Sequence, residues 1–305
     1  MWDTALSTMW GIGRFERLQD FFSAAQQIGF RQFELNHGVS EKMLDGFDLG
    51  RYRIDSVHEP CPSQVSPRTL RMRDWLISSP DEDCRQQGVR ATKRSIDLAQ
   101  EIGASAIVVH PGRVNNVDIQ LEDELWDLFE AGQTQTAKYD EVKERLVVAR
   151  SAQAGIHLDA VRRSLAELAE HAGDAGVRLG LENRYHYLDI PLLDEMGALL
   201  EFIDDERVGF WYDVGHGQTL DNLGFGSHEE WLRRYAARMV GVHLHDIKGI
   251  RDHHAVGLGE IDWDMIKPYI PAGIVRTCEF RKHNTPEQIT AAMQSLVDMG
   301  YVKRV

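Results

Sequence analysis

The chain has 305 residues, of which 43% are hydrophobic, and it carries 48 acidic against 34 basic residues, for a formal net charge of −14. This composition is typical of a globular protein with a large core, and the negative charge opposes loose binding to nucleic acids. No apolar run approaches the ~20 residues of a membrane span, and the start of the chain, MWDTALSTMW, lacks the basic and apolar regions of an export signal. The three cysteines are odd in number and far apart, which favours reduced thiols and a cytoplasmic location.

Eight short β-rich runs recur along the chain, and amphipathic helical stretches separate most of them. The runs cover residues 4–10, 32–36, 53–58, 105–110, 178–182, 208–213, 239–245 and 274–280. The clearest helical stretches cover residues 15–29, 80–103, 157–176, 228–238 and 286–300, and several of them end at a glycine. Strands that alternate with helices predict parallel βαβ units. Eight such strands predict an α/β protein in which residues 1–305 form a single (β/α)8 TIM barrel.

One connection in this pattern is unusually long. Residues at about 112–155 lie between the fourth predicted strand and the next clear helical stretch, whereas an ordinary βα loop has ~2–6 residues. The segment contains a helical stretch of its own at 137–150. Because it leaves the carboxyl end of a barrel strand, where active sites are built, we expect this insertion to form a lid over the site.

Polar residues of metal-binding type stand at or near the ends of six predicted strands. They are His58, His110, Glu182, Asp213, His243, His245 and Glu279. The carboxyl ends of parallel barrel strands converge on one face, so these side chains are predicted to meet in one cavity. Burying so many carboxylates and imidazoles without a cation would cost several kcal/mol per charge. The sequence therefore predicts a metal site.

The motifs HEP, VVHPG, LEN, DVGH, HLHD and CEF, in this order, with VGLGEIDW after the seventh strand, resemble the xylose isomerase-like TIM-barrel superfamily. That superfamily holds sugar and sugar phosphate isomerases and epimerases and also the endonuclease IV family of AP endonucleases. In the isomerase branch the resemblance implies one divalent ion, Zn²⁺, Mn²⁺, Co²⁺ or Mg²⁺, held by Glu182, Asp213, His243 and Glu279. It also implies that Glu182 and Glu279 transfer protons to and from the substrate.

The endonuclease IV branch implies two or three zinc ions and a larger set of ligands. The ligands added to the first four would be His58, His110, His216, Asp252 and either His253 or His254. Asp252 and His254 have the spacing of an Asp-x-His pair, whereas the position relative to Gly257 favours His253.

The segments around the predicted site argue against a nucleic-acid substrate. Residues 59–70, which follow His58, include no aromatic residue to stack in an opened duplex, and residues 120–133 form an acidic stretch that a phosphate backbone would avoid. A sugar or polyol substrate is therefore preferred, with an AP endonuclease as the alternative and a non-catalytic metabolite-binding barrel as a third. The oligomeric state stays open, a homo-oligomer included.

Further polar residues follow the predicted strands on the active face. The candidates for substrate binding are Glu34, His37, Arg184, His186, His216, Lys248 and Arg281, although each also fits an ordinary solvated loop position. His245 and Asp246 either orient His243 or end the seventh strand. Trp10 and Trp211 are expected to pack in the barrel, and Trp10 is also placed to stack on a sugar ring.

Overall fold

Eight parallel strands close into a barrel in the computed structural model, which describes residues 1–305. The barrel strands are β1 Ala5–Ser7, β2 Gln32–Leu35, β3 Arg53–His58, β4 Ala106–Val109, β5 Arg178–Glu182, β6 Val208–Asp213, β7 Met239–Leu244 and β10 Val275–Cys278. Neighbours in the barrel are neighbours in sequence, and β10 pairs with both β7 and β1 to close the ring. The predicted (β/α)8 barrel is thus confirmed, and every predicted strand contains an observed one.

Helices surround the barrel between successive strands. They are α1 Leu18–Ile28, α2 Glu41–Leu44, α3 Pro67–Met72, α4 Glu82–Ile102, α5 Gln120–Glu130, α6 Ala137–Ala175, α7 Leu193–Ile203, α8 Val214–Asn222, α9 His228–Tyr235, α10 Trp263–Ile266 and α11 Pro286–Asp298. The predicted glycine ends are observed at Gly29, Gly103 and Gly176, which adopt the left-handed conformation that glycine accommodates without a Cβ clash. None of these helices is both long and apolar enough to cross a membrane.

The long connection after β4 has a different internal structure from the one expected. Helix α6 has 39 residues, so the stretches 137–150 and 157–176 form one continuous helix across Gly155. The expected end of the insertion therefore lies inside a helix. The first half of α6 and α5 form a small apolar core with the chain after β5, through Leu125, Val142 and Tyr187.

Trp211 fills the inside of the barrel beneath the strand ends. It is fully buried among small and β-branched side chains that include Val108 and Val240. Glycines on the neighbouring strands make room for it, because a Cβ at Gly241 would lie 2.3 Å from the indole ring and one at Gly180 2.7 Å. The ring also packs edge-on against His243, at 5.1 Å between centroids. Trp211 is therefore a packing residue and forms the floor of the site.

A two-stranded antiparallel hairpin follows β7 and is absent from the sequence prediction. Its strands are β8 Asp246–Lys248 and β9 Arg251–His254. Asp246 fixes this region, since its carboxylate accepts hydrogen bonds from the backbone N–H groups of Ile247, Gly257 and Ile261 at 2.9–3.1 Å. Asp246 thus organises the chain after β7 and does not orient His243.

His228 is a buried structural histidine between α9, β6 and α8. Its Nδ1 lies 3.0 Å from Gln218 Oε1, and its Nε2 contacts the hydroxyl of Tyr212. A neutral imidazole satisfies both contacts, donating through Nδ1 and accepting at Nε2. Burial lowers the pKa of His228 to about 4.

We predict that His228 makes stability depend on pH. The unfolded histidine has a pKa of about 6.5, so between pH 6.5 and 4 the unfolded chain takes up a proton that the folded chain does not. Stability should therefore fall by about 3 kcal/mol as the pH falls through this window. Urea unfolding of metal-free protein at several pH values should show this loss in the wild type and a smaller one in His228→Gln. The same pH dependence in both proteins would contradict the prediction.

Candidate metal centre

Four side chains meet at the carboxyl-terminal mouth of the barrel. Glu182 ends β5, Asp213 ends β6, His243 lies near the end of β7, and Glu279 follows β10. These strands are consecutive around the barrel wall, and none of the four residues is more than 1% exposed. The structure thus brings together the four residues that the resemblance to the isomerase branch selects as ligands of one ion.

One imidazole nitrogen stands at the centre of this cluster. His243 Nδ1 lies 2.9 Å from Glu182 Oε1, 3.4 Å from Asp213 Oδ2 and 3.2 Å from Glu279 Oε2. A single N–H group makes one good hydrogen bond, so it cannot satisfy three carboxylates. Burial by itself lowers the pKa of His243, but Glu279 and Glu34 raise it well above its usual range. The cluster therefore stabilises positive charge at its centre, and this donor set fits a divalent cation.

The other nitrogen of His243 is held from the opposite side by Glu34. Glu34 Oε2 lies 3.2 Å from His243 Nε2, and it accepts a hydrogen bond of 2.8 Å from Ser56. Because Nε2–H donates to Glu34, Nδ1 is the nitrogen that would bind a cation among the carboxylates. The expectation that Glu34 binds substrate is wrong, because the side chain is fully buried within β2 and faces His243.

Both cavity-side glutamates are held as carboxylates. Arg184 donates to Glu182 Oε2, and His110 Nε2 lies 2.9 Å from the same oxygen. Burial raises the pKa of Glu182, but Arg184 and His110 outweigh burial and keep the pKa well below its usual range. Burial likewise raises the pKa of Glu279, and His243 and His253 lower it far more. Each glutamate is therefore ionised at neutral pH and can act as a ligand or a base.

Two further histidines surround Glu182. His58 Nε2 lies 3.8 Å from Glu182 Oε1, and the rings of His58 and His110 are 4.5 Å apart and nearly perpendicular. His58 also comes within 4.8 Å of the ligand atoms of Glu182, His243 and Glu279. The resemblance to endonuclease IV selected these two histidines for an additional ion, and the structure places both beside the carboxylate of Glu182.

A third group of side chains lies on the hairpin side of the site. Asp252 Oδ1 is 2.9 Å from His253 Nδ1, and Asp252 Oδ2 is 3.8 Å from His216 Nε2. These adjacent hairpin residues both face inward because His253 has a left-handed backbone, with φ of 60°. His254 is not part of the group, since its Nδ1 lies 3.2 Å from His283 at the surface. Of the two alternatives for this position, His253 is the one near the cluster.

Several polar residues that position the ligands were missed in the sequence. Asn36 Nδ2 donates to Glu279 Oε1 at 3.2 Å, and Ser7 Oγ lies 3.5 Å from the same oxygen. Asn183 pairs with the backbone of Asp213 through two hydrogen bonds of 2.7 and 2.9 Å. Asn36 ends the second predicted strand, so the rule that selected the other residues at strand ends would also have found it.

His245 supports a different ligand from the one expected. Its Nε2 lies 2.9 and 3.0 Å from the two oxygens of Asp213, and its Nδ1 accepts from the backbone N–H of His253 at 3.0 Å. His245 therefore orients Asp213 and does not orient His243.

A cavity of 670 Å³ opens above the cluster, within the range of small-molecule sites. Glu182 and Glu279 line it, whereas Asp213 and His243 lie behind them. Four of the seven predicted substrate-binding residues also line the cavity: His37, Arg184, His216 and Arg281. Of the four central residues, the two glutamates are thus the ones that can touch a bound molecule.

Two other candidates for substrate binding lie away from the cavity, and these expectations are wrong. His186 stacks on Trp126 and places Nδ1 3.2 Å from Glu122 Oε2, so it anchors α5. Lys248 is exposed at the end of β8, where the chain turns into the hairpin. Trp10 is fully buried, with its indole N–H donating to Asn284 O, so it cannot stack on a sugar.

The cavity is roofed by the connection after β3 and not by the one after β4. Side chains between residues 60 and 77 line it, and they include Leu70, Met72 and Trp75. From the expected lid at 112–155, Gly112 and Arg113 alone reach the cavity. The lid was misassigned because α5 and α6 bury their apolar faces against the chain after β5.

The chain belongs to the family described as xylose isomerase-like TIM barrel, which its residues 22–298 match. A curated relative is the uncharacterized protein MJ1311 of Methanocaldococcus jannaschii, with 25% identity over 216 residues. The match covers 70% of this chain and 59% of the relative, so the chain spans less than two thirds of that protein.

Two solved structures share the fold over almost the whole chain. A D-tagatose 3-epimerase-like protein gives a TM-score of 0.66 with 21% identity and covers 97% of this chain and 96% of its own. The IOLI protein with a bound zinc atom gives a TM-score of 0.63 with 14% identity and covers 97% of each chain. At these identities the likeness establishes the fold.

We predict that Glu34→Gln weakens metal binding without removing a ligand. Glutamine can still accept a hydrogen bond from His243 but does not make the imidazole as basic, and losses of this kind reduce affinity by about 10- to 100-fold. Competition with a chromophoric chelator for Zn²⁺ and Mn²⁺ should show the loss. Glu122→Gln is the matched control, because it removes another buried carboxylate paired with a histidine, His186, away from the cluster. Equal affinities in all three proteins would refute the role given to Glu34.

Proposed function

We propose that the protein is a divalent-metal-dependent sugar isomerase or epimerase that works by proton transfer between Glu182 and Glu279. The observation that carries the proposal is that these two ionised carboxylates, from β5 and from the end of β10, both face the cavity. Asp213 and His243 complete the ligand set from behind. The D-tagatose 3-epimerase-like structure that shares the fold supports a small carbohydrate as the substrate class.

The ion held by Glu182, Asp213, His243 and Glu279 would supply electrostatic stabilisation for negative charge on the substrate carbonyl and neighbouring hydroxyl. One glutamate removes the proton from the carbon next to the carbonyl. The electron pair of the broken C–H bond moves toward the carbonyl. The other glutamate, which has to take up a proton from solvent before this step, returns that proton to the opposite face and so inverts the carbon.

The contacts around the two glutamates suit this exchange. Glu279 is oriented by Asn36 and by His253, whose Nε2 lies 3.2 Å from its Oε2. Glu182 is oriented by Arg184 and His110. Both carboxylates are therefore fixed before a substrate arrives.

The first test of this proposal is hydrogen exchange between substrate and solvent. Glu279→Gln keeps the size of the side chain and removes the base, so exchange of the substrate C–H with D₂O should fall by about 10²- to 10⁴-fold. NMR of a panel of ketoses with metal-saturated protein measures this exchange. The control is Glu167→Gln, on α6, where Glu167 pairs with Arg85 of α4 outside the cavity. This variant should keep the wild-type rate. Exchange that survives in Glu279→Gln would refute the assignment, and no exchange in the wild type would favour a metabolite-binding barrel.

An AP endonuclease is the second candidate, because His58, His110 and the group His216, Asp252 and His253 supply donors for more than one ion. In a phosphodiesterase, two close metal ions stabilise the attacking and leaving oxygens. The 670 Å³ volume of the cavity and the net negative charge of the chain favour the sugar reaction.

Mutation of His110 separates the two candidates. In the isomerase, His110→Ala should leave one ion bound per chain and reduce proton exchange only mildly, since His110 contacts Glu182 from the side. In the endonuclease, the same change should lower the zinc content below the wild-type two or three ions and abolish cleavage of abasic DNA. Elemental analysis and both assays on the same preparations decide between them.

A further inference from the structure

The cavity has a basic lining in a strongly acidic chain. Six basic residues line it: Arg68, Arg71, Arg113, Arg184, Arg281 and Lys282. The four acidic residues of the lining are Glu59, Glu182, Asp189 and Glu279, all of them buried. The chain as a whole carries a net charge of −14, so this concentration of positive charge is specific to the cavity.

The acidic residues of the lining are already engaged. Glu182 and Glu279 belong to the metal centre. Glu59 accepts a hydrogen bond from the backbone N–H of His110 at 3.0 Å. Asp189 lies 3.5 Å from Arg184 and 3.9 Å from Arg71, so it is shared between guanidinium groups. Arg281 pairs with Asp252 at 3.0 Å, whereas Arg68, Arg113 and Lys282 have no carboxylate within ion-pair distance.

Arg113 is the least satisfied of the basic residues. Its guanidinium makes no hydrogen bond or ion pair, and its Nε is buried without a partner. The backbone is nevertheless fixed, because its N–H donates to Ser78 Oγ at 2.9 Å and its carbonyl accepts from the same hydroxyl at 3.0 Å. A buried donor without an acceptor is costly, and a fixed one is ready to bind a ligand.

Two more cations, both exposed, line the same cavity from the connection after β3. Arg68 and Arg71 lie on α3, and Arg68 makes no ion pair, while Arg71 has only the distant contact with Asp189. Guanidinium groups bind phosphate and carboxylate oxygens through paired N–H donors. Arg184 contacts both Asp189 and the metal ligand Glu182, so this basic group adjoins the metal centre.

We propose that the substrate is an anionic sugar, whose phosphate monoester or carboxylate is bound by Arg113 together with Arg68 and Arg71. The inference rests on the proposed function for the reaction and adds the chemical class of the substrate. A cavity of 670 Å³ suits a small anion. The surface charge disfavours a polyanion such as DNA.

Calorimetry with metal-loaded protein tests the proposal. The probes are three ketoses that differ at one end: D-fructose, D-fructose 6-phosphate and D-fructuronate. Hydrogen bonds between an arginine and an anionic group add to the binding free energy. At least one of the two anionic sugars should therefore bind about 10- to 100-fold more tightly than D-fructose. Arg113→Gln should remove most of this advantage, so it should weaken binding of the preferred anion far more than binding of D-fructose. Arg51→Gln, an exposed arginine just before β3 at the opposite end of the barrel, should bind all three sugars like the wild type.

The outcomes are distinct. Preference for the phosphate identifies a sugar phosphate, and preference for the uronate identifies a sugar acid. Equal affinities for the three probes, undetectable binding of both anions, or anion binding that is unchanged in Arg113→Gln would overturn the proposal. Tighter, Arg113-dependent binding of abasic DNA would overturn it in favour of a nucleic acid. Binding is measured without turnover, so a failure to exchange substrate protons would refute the proposed reaction and leave this result standing.

Discussion

The site depends on one histidine whose two nitrogens have different tasks. Glu34 binds Nε2 of His243 from inside the barrel wall, and this contact turns Nδ1 toward three carboxylates. Without it, the imidazole could present either nitrogen to the carboxylates. The contact between Glu34 and His243 therefore determines how His243 faces Glu182 and Glu279, the two glutamates that line the cavity.

Packing inside the barrel also positions His243. Trp211 occupies the interior below His243, and the absence of side chains at Gly180 and Gly241 lets its ring fit. Above this ring, the four candidate metal ligands lie at the carboxyl ends of the strands. The negative charge of the candidate ligands lies at the strand ends. The positive charge of Arg68, Arg71 and Arg113 lies farther along the cavity. This separation of charge would orient a molecule that has a carbonyl at one end and an anionic group at the other.

Much of this organisation follows from local sequence pattern. Alternating strands and helices predict the barrel, and polar residues at strand ends predict the cluster, because both depend on rules of periodicity and parallel pairing. Glu34 was misjudged since its strand position does not tell which polar neighbour it faces. The choice between His253 and His254 could not be made from sequence spacing, because His253 reaches the cluster through a left-handed backbone conformation. The continuous helix α6 was divided at Gly155, where the tertiary packing of both halves outweighs the weak helix propensity of glycine.

The basic residues of the cavity come from two separate parts of the chain. Arg68 and Arg71 belong to the roof, whereas Arg113 belongs to the connection after β4, which the hydroxyl of Ser78 ties to the end of the roof segment. A molecule that contacts arginines from both parts connects them non-covalently. It therefore binds the folded state more tightly than any state in which the connection after β3 has come away from the barrel. By mass action, such a molecule raises the melting temperature of the protein, and at equal concentrations a ligand with higher affinity for the folded state raises it more. Thermal denaturation can therefore rank anionic sugars as ligands before any reaction has been assigned to them.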